Sequence, residues 1–425
     1  MTDDVAQAVA AITPERCACF IYTSGTGGQP KGVMLSHRAI ACNVYSATDL
    51  LAELDLGDEV FLSFLPLSHS YEHTCGLHLP ISLGAQIYYA EGIETLSANM
   101  AEARPTIMTC VPRLYEIMRA RILAGVTRAG GAKKFLFEAA LGLGRKRHEG
   151  GRLSLMENLL DRLVERLVRD KVRGRFGGRM KALVSGGAPL NYDVGMFFLA
   201  LGLPVYQGYG QTEAAPLISC NRKSNNNIAS VGPALAGVEA RIAADGEICV
   251  RGGMLMEGYW NDAEATATAL GDGWLHTGDI GHIDQAGCIH ITDRKKDIIV
   301  NSGGDNIAPA RIEGVLTLEP EIAQALVYGD RRAHLVALIV PADDFIKSHA
   351  KGLSLAELAG DADFHAARGQ AVRRASNSLS SIEKVKRFAI AKEPFTIDNG
   401  ELTPTLKTRR HAIISRYRDT LDGLY

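Results

Sequence analysis

Short apolar runs alternate with stretches of helical periodicity along most of this chain, and this alternation constrains the fold more than any other feature. Residues 19–23, 107–111 and 180–185 have the length of buried strands, and a helical pattern runs from about residue 36 to residue 51. Such alternation favours an α/β architecture, with helices on the faces of a sheet. At roughly 100–200 residues per domain, the 425 residues are expected to form two or three structural units.

The pattern changes twice in the second half of the chain. Residues 238–250 and 287–292 have the short apolar runs and turns of a small β-rich subdomain. Beyond Asp293 a charged segment interrupts the apolar pattern, and short strand and helix patterns follow. We predict a large N-terminal domain of layered α/β subdomains over residues 1–293, which includes the β-rich part, and a small α+β domain over residues 294–425.

The charge balance and the cysteines exclude several classes of protein. The chain has 46 Lys and Arg against 48 Asp and Glu, a net charge of −2, which argues against a nucleic-acid-binding protein. Its eight cysteines form no Cys-x-x-Cys pair, as expected of reduced thiols. Residues 1–16 lack the features of a secretory signal, and no apolar run approaches the roughly 18 residues of a membrane span. We therefore expect a cytoplasmic protein.

A glycine-rich segment follows the first strand-like run. It combines three Ser/Thr hydroxyls, four glycines and a lysine in Tyr22-Thr23-Ser24-Gly25-Thr26-Gly27-Gly28-Gln29-Pro30-Lys31-Gly32. Glycines let backbone N–H groups approach an anion, and the hydroxyls and the ammonium group add donors and charge. A Walker A loop requires Gly-Lys-Ser/Thr, whereas Lys31 stands between Pro30 and Gly32. The segment predicts a phosphate-binding loop of another kind, with a plain glycine-rich turn as the alternative.

A second segment places an aromatic ring between two glycines, in Gln207-Gly208-Tyr209-Gly210-Gln211-Thr212-Glu213, after a strand predicted at 204–206. Such a ring can stack on a flat base. A hydroxyl beside a carboxylate, as in Thr212-Glu213, can hold a phosphate and its Mg²⁺.

Two further segments fit the same ligand. Gly186, Gly187 and Ala188 follow a predicted strand, and strand ends are where ligands bind in open α/β sheets. Residues 273–279 are predicted to form a tight turn that ends in Asp279, whose carboxylate can accept hydrogen bonds from both ribose hydroxyls. Charged and glycine-rich segments follow at 293–297, 301–307 and 399–407.

In this order, over residues 20 to 410, the segments resemble the adenylate-forming superfamily of acyl-CoA synthetases, luciferases and peptide-synthetase adenylation domains. Residues 65–69, the basic helical stretch described below and residues 403–407 resemble long-chain fatty acid CoA ligases of bacteria. The resemblance implies a two-step reaction. A fatty acid carboxylate attacks the α-phosphorus of Mg·ATP to give acyl-AMP and pyrophosphate, and the thiol of coenzyme A then displaces AMP.

The resemblance also implies roles for particular residues. Glu213 and Thr26 would bind Mg²⁺, and Thr212 would contact the α-phosphate. Tyr209, with Gly208, would stack the adenine against Gly186, Gly187 and Ala188, and Asp279 and Arg294 would hold the ribose. The β- and γ-phosphates would be bound by Thr23, Ser24, Gly25, Thr26, Gly27, Gly28 and Lys31.

Three more roles concern domain motion and the acyl group. Lys407 would bridge the substrate carboxylate and the α-phosphate in the first step only. The small C-terminal domain would be mobile, and would rotate about a hinge near Lys296 to carry Lys407 away before the thiol arrives. His69 and Tyr71 are weaker candidates for the acyl pocket, with a packed tyrosine as the alternative for Tyr71.

The sequence departs from the family pattern in two places. Gly27 stands where the family usually has threonine, so ATP binding is expected to be reduced and not abolished. The chain begins about twenty residues before the phosphate loop, so we expect an N-terminally truncated large domain. Such a domain either exposes apolar surface or is completed by a partner, which would be a separate N-terminal fragment or a second copy in a homo-oligomer. Alternatives to the synthetase are a fatty acyl-AMP ligase that loads a carrier protein and an inactive remnant that acts as a binding protein.

Residues 113–179 differ in charge from the rest of the chain. They contain 17 Lys and Arg against seven Asp and Glu, and Leu155, Leu159, Leu163 and Leu167 follow a helical spacing. The plain interpretation is a solvated basic helix pair. The functional one is a surface that attracts a phosphorylated cofactor or anionic lipid headgroups, which would place the protein peripherally at the inner membrane surface.

Overall fold

The structure is a computed structural model that describes residues 3–23, 30–349, 358 and 362–425. The chain folds into two units. The first comprises Met1–Thr277 and Gly281–Ile291, and the second comprises Gly278–Ile280 and Thr292–Tyr425.

The first unit contains most of the helices. They are α1 (Asp3–Ala10), α2 (His37–Leu51), α3 (Ser70–Glu72), α4 (Leu79–Ser82), α5 (Leu96–Ala103), α6 (Pro112–Ala129), α7 (Gly131–His148), α8 (Leu155–Val164), α9 (Asp170–Arg175), α10 (Tyr192–Ala200) and α11 (Ala263–Ala269). Two π-helical segments, His73–His78 and Glu165–Arg169, join α3 to α4 and α8 to α9. No helix in the described part of the chain combines the length and the apolarity that a membrane crossing requires.

Its strands are β1 (Cys17–Thr23), β2 (Lys31–Ser36), β3 (Val60–Ser63), β4 (Gln86–Tyr89), β5 (Ile107–Cys110), β6 (Ala182–Ser185), β7 (Val205–Gly210), β8 (Leu217–Cys220), β9 (Val238–Ile242), β10 (Glu247–Gly252), β11 (Gly258–Tyr259), β12 (Leu270–Gly271), β13 (Trp274–Ile283) and β14 (Ile289–Arg294). The last two strands carry residues of both units.

A six-stranded sheet in the order β4-β3-β5-β6-β7-β8 forms the centre of the first unit. Its pairs are parallel except β7 with β8, and every residue of β3 and β5 is buried. Continuous apolar runs of this kind are what a parallel sheet covered on both faces requires. Because parallel strands end at one edge of the sheet, the segments that follow β3, β6 and β7 all begin at the same edge.

Two smaller sheets complete the first unit. One has the order β1-β2-β11 and the other the order β12-β13-β10-β9, with β14 paired to β13. The second of these is the predicted β-rich subdomain.

The second unit is an α+β structure. It contains strands β15 (Ile299–Val300), β16 (Asn306–Ile307), β17 (Ile322–Tyr328), β18 (Leu335–Pro341) and β19 (Val385–Ile390), and helices α12 (Pro309–Leu316), α13 (Asp343–His349), α14 (Ala362–Ser376), α15 (Arg410–Arg416) and α16 (Arg418–Asp422). All residues of β18, the middle strand of the sheet β17-β18-β19, are buried. Apolar residues of α12 and α14 pack with one set of strand residues and those of α15 and α16 with another, so the sheet is covered on both faces.

Candidate active site

The predicted phosphate loop joins the two strands of a hairpin. β1 and β2 are antiparallel, and Thr23, the last residue of β1, pairs with Lys31, the first residue of β2. Residues 24–29 between them lie outside the described residues, and so do the predicted phosphate ligands Ser24, Gly25, Thr26, Gly27 and Gly28. The hairpin therefore places Thr23 and Lys31 side by side at the two ends of the loop.

Lys31 contacts an aromatic ring and a carboxylate. Its Nζ lies 4.7 Å from the centre of the Tyr259 ring and 4.0 Å from Oδ2 of Asp262. Its side chain is about two-fifths exposed, so the ion pair with Asp262 is open to solvent and weak. The ammonium group is therefore oriented by its neighbours while it remains available to an incoming anion.

Tyr259 also links Lys31 to the predicted metal ligand Glu213. The Tyr259 hydroxyl donates a hydrogen bond of 2.8 Å to Oε1 of Glu213. Burial, followed by the nearby Glu213 carboxylate, holds the pKa of Tyr259 well above its usual value, so the phenol keeps its proton. The backbone N–H of Met256 donates a 2.9 Å hydrogen bond to the carbonyl of Glu213, so residues 256–259 contact Glu213 through both the backbone and the Tyr259 side chain.

Sequence reasoning missed Tyr259. The residue lies in β11, which pairs with β2 so that Tyr259 faces Val33 across the ladder. The only signal in the sequence is a short Gly258-Tyr259-Trp260 run, which is too common to indicate a site by itself. Pairing between distant strands brings the ring to the phosphate loop.

Thr212, the predicted α-phosphate contact, meets the segment that follows β3. Its Oγ1 lies 3.0 Å from Oγ of the buried Ser70, and either hydroxyl can donate. The carboxyl ends of β3 and β7 are therefore joined at the sheet edge. Ser70 was not predicted from the sequence.

Tyr71 packs on the predicted adenine platform. Its buried ring lies so close to Gly186 that a Cβ atom there would stand 3.0 Å from the ring, and its hydroxyl donates a 2.9 Å hydrogen bond to the carbonyl of Val184. Gly187 has a φ of +84°, which favours glycine, and Ala188 is exposed. His69 caps α3, since its Nδ1 accepts from the backbone N–H of Tyr71 at 3.2 Å.

Tyr209 and Gly208 lie within a strand. β7 continues through Gly210, and not only to residue 206 as predicted, because Gly208, Tyr209 and Gly210 pair with β8. The Tyr209 side chain is buried. The preceding Gln207 accepts from the backbone N–H of Leu190 at 3.0 Å, which holds the segment after β6 beside β7.

Glu72 is a fully buried carboxyl group in this region. Its Oε2 accepts a 2.6 Å hydrogen bond from the hydroxyl of Thr109 in β5. Burial raises the pKa of Glu72 to about 7, although hydrogen bonds from Ser63, Thr109 and the backbone of Phe64 oppose the rise. The carboxyl group therefore exchanges its proton near neutral pH.

The two predicted ribose ligands form an ion pair in the second unit. Nε of Arg294 lies 3.2 Å from Oδ1 of the buried Asp279. Asp279 is in the strand β13, so the prediction of a tight turn ending at this residue is wrong. The turn is confined to Asp272 and Gly273, which have positive φ, and strand pairing begins at Trp274.

Lys407 is held in a closed turn of the second unit. The backbone N–H of Lys407 donates to Oγ1 of Thr403 at 3.0 Å, and its carbonyl accepts from the backbone N–H of Thr403 at 2.9 Å. Leu406 has a φ of +60°, a left-handed conformation that non-glycine residues rarely adopt. The turn therefore gives the lysine a defined backbone position.

The predicted hinge residue, Lys296, is exposed. Asp293, three residues before it, is a buried carboxyl group. Burial raises the pKa of Asp293 to about 6, against the hydrogen bond from the backbone N–H of Arg294 and the charge of Arg410. Arg410 itself pairs with Glu313 at 2.7 Å.

Comparisons with known proteins identify the family of the chain. A family model described as AMP-binding enzyme matches residues 2–260, and one described as AMP-binding enzyme C-terminal domain matches residues 296–425. The long-chain-fatty-acid–CoA ligase FadD15 of Mycobacterium bovis is 34% identical over 98% of this chain and 70% of its own length. The peroxisomal long chain acyl-CoA synthetase 6 of Arabidopsis thaliana is also 34% identical, over 97% of this chain and 61% of its own length.

Solved structures have the same fold. The A-PCP didomain of the carboxylic acid reductase from Segniliparus rugosus, in complex with AMP, superposes with a TM-score of 0.74 at 25% identity. That match covers 97% of this chain and 53% of the other. The o-succinylbenzoate CoA synthetase from Bacillus subtilis, in complex with the acyl-adenylate intermediate OSB-AMP, has a TM-score of 0.67 at 21% identity over 95% of this chain and 70% of the other, which shows the shared fold.

The predicted superfamily and fold class are both confirmed by these matches. The family models cover most of the chain, and curated relatives named as long-chain-fatty-acid–CoA ligases occur in bacteria and in eukaryotes. The chain belongs to the AMP-binding enzyme family.

Proposed function

We propose that this protein is an AMP-forming long-chain fatty acyl-CoA synthetase. The observation that carries the proposal is the cluster of Lys31, Tyr259 and Glu213, which joins a cation and an anion beside the predicted phosphate loop. Phosphoryl-transfer sites need positive charge on the phosphates and a carboxylate for the metal that accompanies them. The names of the curated relatives support a fatty acid and coenzyme A as the other substrates.

The reaction has two steps. An oxygen of the fatty acid carboxylate bonds to the α-phosphorus of ATP, and the bond from that phosphorus to pyrophosphate breaks. The sulfur of coenzyme A then bonds to the acyl carbon, AMP leaves with the electron pair, and the thiol proton passes to solvent. In the first step Lys31 and Thr23 hold the outer phosphates and Thr212 orients the α-phosphate, so that the protein contributes mainly positioning and charge.

The contacts of Glu213 fit a magnesium ligand. The Tyr259 hydroxyl donates to Oε1 and orients the carboxylate, while Oε2 accepts no hydrogen bond from the residues that the structure describes. Mg²⁺ is usually bound by one or two carboxylates together with substrate phosphates. When bound, Mg²⁺ would neutralise phosphate charge, and Glu213 with Thr26 would hold it.

The nucleoside end of ATP is assigned to the remaining candidates. Tyr209 and Gly208 form part of the adenine site with Gly186, Gly187 and Ala188, and Asp279 accepts hydrogen bonds from the ribose hydroxyls. The ion pair with Arg294 keeps the Asp279 carboxylate in place. His69 and Tyr71 are proposed to border the acyl chain, since they begin the helical segment that packs on Gly186.

Lys407 is proposed to act in the first step only. In this proposal residues 294–425 form a mobile domain with a hinge near Lys296, and rotation brings the ammonium group of Lys407 to the reacting carboxylate and α-phosphate. A lysine that stabilises charge in one step contributes nothing to a later step from which it has withdrawn.

The test is to measure the two half-reactions in Lys407→Ala. Adenylation is followed by ATP–pyrophosphate exchange with a long-chain fatty acid, and thioester formation is followed with synthetic acyl-AMP and coenzyme A. We expect adenylation to fall by roughly a hundredfold or more and thioester formation to be retained. Lys386→Ala, which removes an exposed lysine from the same unit, should leave both unchanged, and equal losses in both half-reactions of Lys407→Ala would contradict the assigned role.

A second candidate function is a fatty acyl-AMP ligase that loads a carrier protein. The likeness to an A-PCP didomain favours this alternative, because that structure joins an adenylation domain to a carrier domain. Both functions include ATP–pyrophosphate exchange. Acyl-CoA formed from free coenzyme A separates them, since only the synthetase makes it.

A further inference from the structure

We propose that the outward face of the helical segment from α8 to α9 docks on an anionic lipid bilayer. We call this face the leucine stripe and define it as Leu155, Met156, Leu159, Leu163 and Leu167. Their relative exposures are 90%, 77%, 64%, 48% and 41%. Four of these residues recur at every fourth position, so they form one row along the helix.

The inward face of the segment combines the buried apolar side chains of Val164 and Val168 with a buried ion pair, and the leucine stripe lies on the outward face. Asp161 and Arg169 are both buried and pair at 2.8 Å, and Arg169 also donates to the backbone carbonyls of Ala140 and Ala200. The ion pairs thus anchor the helix to the rest of the unit. The leucine stripe on the opposite side is 41–90% exposed, and contiguous exposed apolar surface marks an interaction site.

The charges beside the stripe favour an anionic partner. All four carboxylates of the segment 155–175 are in ion pairs: Glu157 with Lys146, Asp161 with Arg169, Glu165 with Arg173, and Asp170 with Arg173. The exposed Arg162 and Arg166 follow Leu159 and Leu163 by three residues, which places them beside the stripe. Neither forms an ion pair within the described part of the chain.

This combination selects a lipid surface over a second copy of the chain. A second copy would bring its own unpaired arginines to the contact, where like charges repel. An anionic bilayer provides both an apolar phase for the leucines and negative headgroups for the arginines. The docking face consists of residues outside the adenylation site, so binding can be measured without substrate.

Vesicle flotation tests the proposal with the full chain and equimolar phosphatidylglycerol and phosphatidylcholine. We expect binding that falls by roughly tenfold or more at high salt or with phosphatidylcholine alone, because the headgroup attraction is screened or lost. Leu159→Asp with Leu163→Asp should weaken binding by at least roughly tenfold, since both side chains leave the apolar phase. Arg162→Ala with Arg166→Ala should weaken it at low salt and reduce its dependence on salt.

Matched controls are available elsewhere on the surface. Tyr45→Asp with Ile382→Asp changes two side chains that are 75% and 43% exposed outside the stripe, and should bind as the wild type does. The exposed basic pair Arg331→Ala with Lys347→Ala should also have no effect. Unchanged flotation of the double leucine variant would overturn the proposal. The proposal would also be overturned if the wild type did not bind vesicles but sedimented as a dimer, and the double leucine variant sedimented as a monomer. The stripe would then bind a second copy of the chain.

Discussion

The carboxyl group of Glu72 makes the stability of the first unit depend on pH in a way that one substitution can isolate. The side chain is buried, and its pKa rises from 4.5 to about 7 because the ionised form loses its hydration. Glu72→Gln keeps the size of the side chain and can still accept the hydrogen bond from Thr109, but it cannot ionise. Comparing the two proteins therefore separates ionisation from packing.

The magnitude follows from the size of the pKa shift. A pKa that is higher in the folded state means that the folded protein binds more protons than the unfolded chain. The contribution of Glu72 to the free energy of unfolding is therefore fully present below about pH 4.5 and is lost as the pH rises through about 7. At about 1.4 kcal/mol per pKa unit, the shift corresponds to roughly 3 kcal/mol. We expect Glu72→Gln to gain about 2–3 kcal/mol relative to the wild type between about pH 5 and about pH 8.

Urea unfolding followed by tryptophan fluorescence measures this difference. Trp260 and Trp274 are the two tryptophans of the chain and both lie in the first unit, so the signal reports on the unit that contains Glu72. Glu257→Gln changes an exposed carboxylate and is the control, with the same difference from wild type expected at both pH values. If Glu72→Gln also gives the same difference at both pH values, the carboxyl group is solvated and the reasoning is refuted.

Three further substitutions test other parts of the structure. Tyr259→Phe removes the 2.8 Å hydrogen bond to Glu213 but keeps the ring under Lys31, and should raise the KM for Mg·ATP by about tenfold in pyrophosphate exchange. Gly186→Ala would place a Cβ 3.0 Å from the Tyr71 ring and should lower the free energy of unfolding by about 1–3 kcal/mol in urea. Asp293→Asn removes a carboxyl group whose pKa of about 6 makes its ionised form unfavourable when folded; calorimetry should show a stabilisation of about 3 kcal/mol at about pH 8 that falls to about 0.5 kcal/mol at about pH 4.

Sequence patterns predicted strands β5, β6 and β7 of the central sheet but placed the end of β7 at residue 206, whereas the strand continues to Gly210. Buried parallel strands are nearly continuous apolar runs, so β5 and β6 are visible in the sequence. The extent of β7 is not, because Gly208 and Gly210 have the composition of a loop and are held in a strand only by pairing with β8. For the same reason Asp279 was predicted in a turn and lies in β13.

The sequence by itself determined which chemical groups are available: the glycines, hydroxyls and lysine of residues 22–32, the carboxylates at 213 and 279, and the lysine at 407. Only the tertiary structure decided that Tyr259 joins Lys31 to Glu213, since strand pairing and not chain proximity makes that contact. It also decided the meaning of the leucine stripe. Periodicity places apolar side chains on one face of a helix, but it does not decide which face is buried. Here Val164, Val168 and the Asp161–Arg169 ion pair are buried, and the leucine stripe is left exposed.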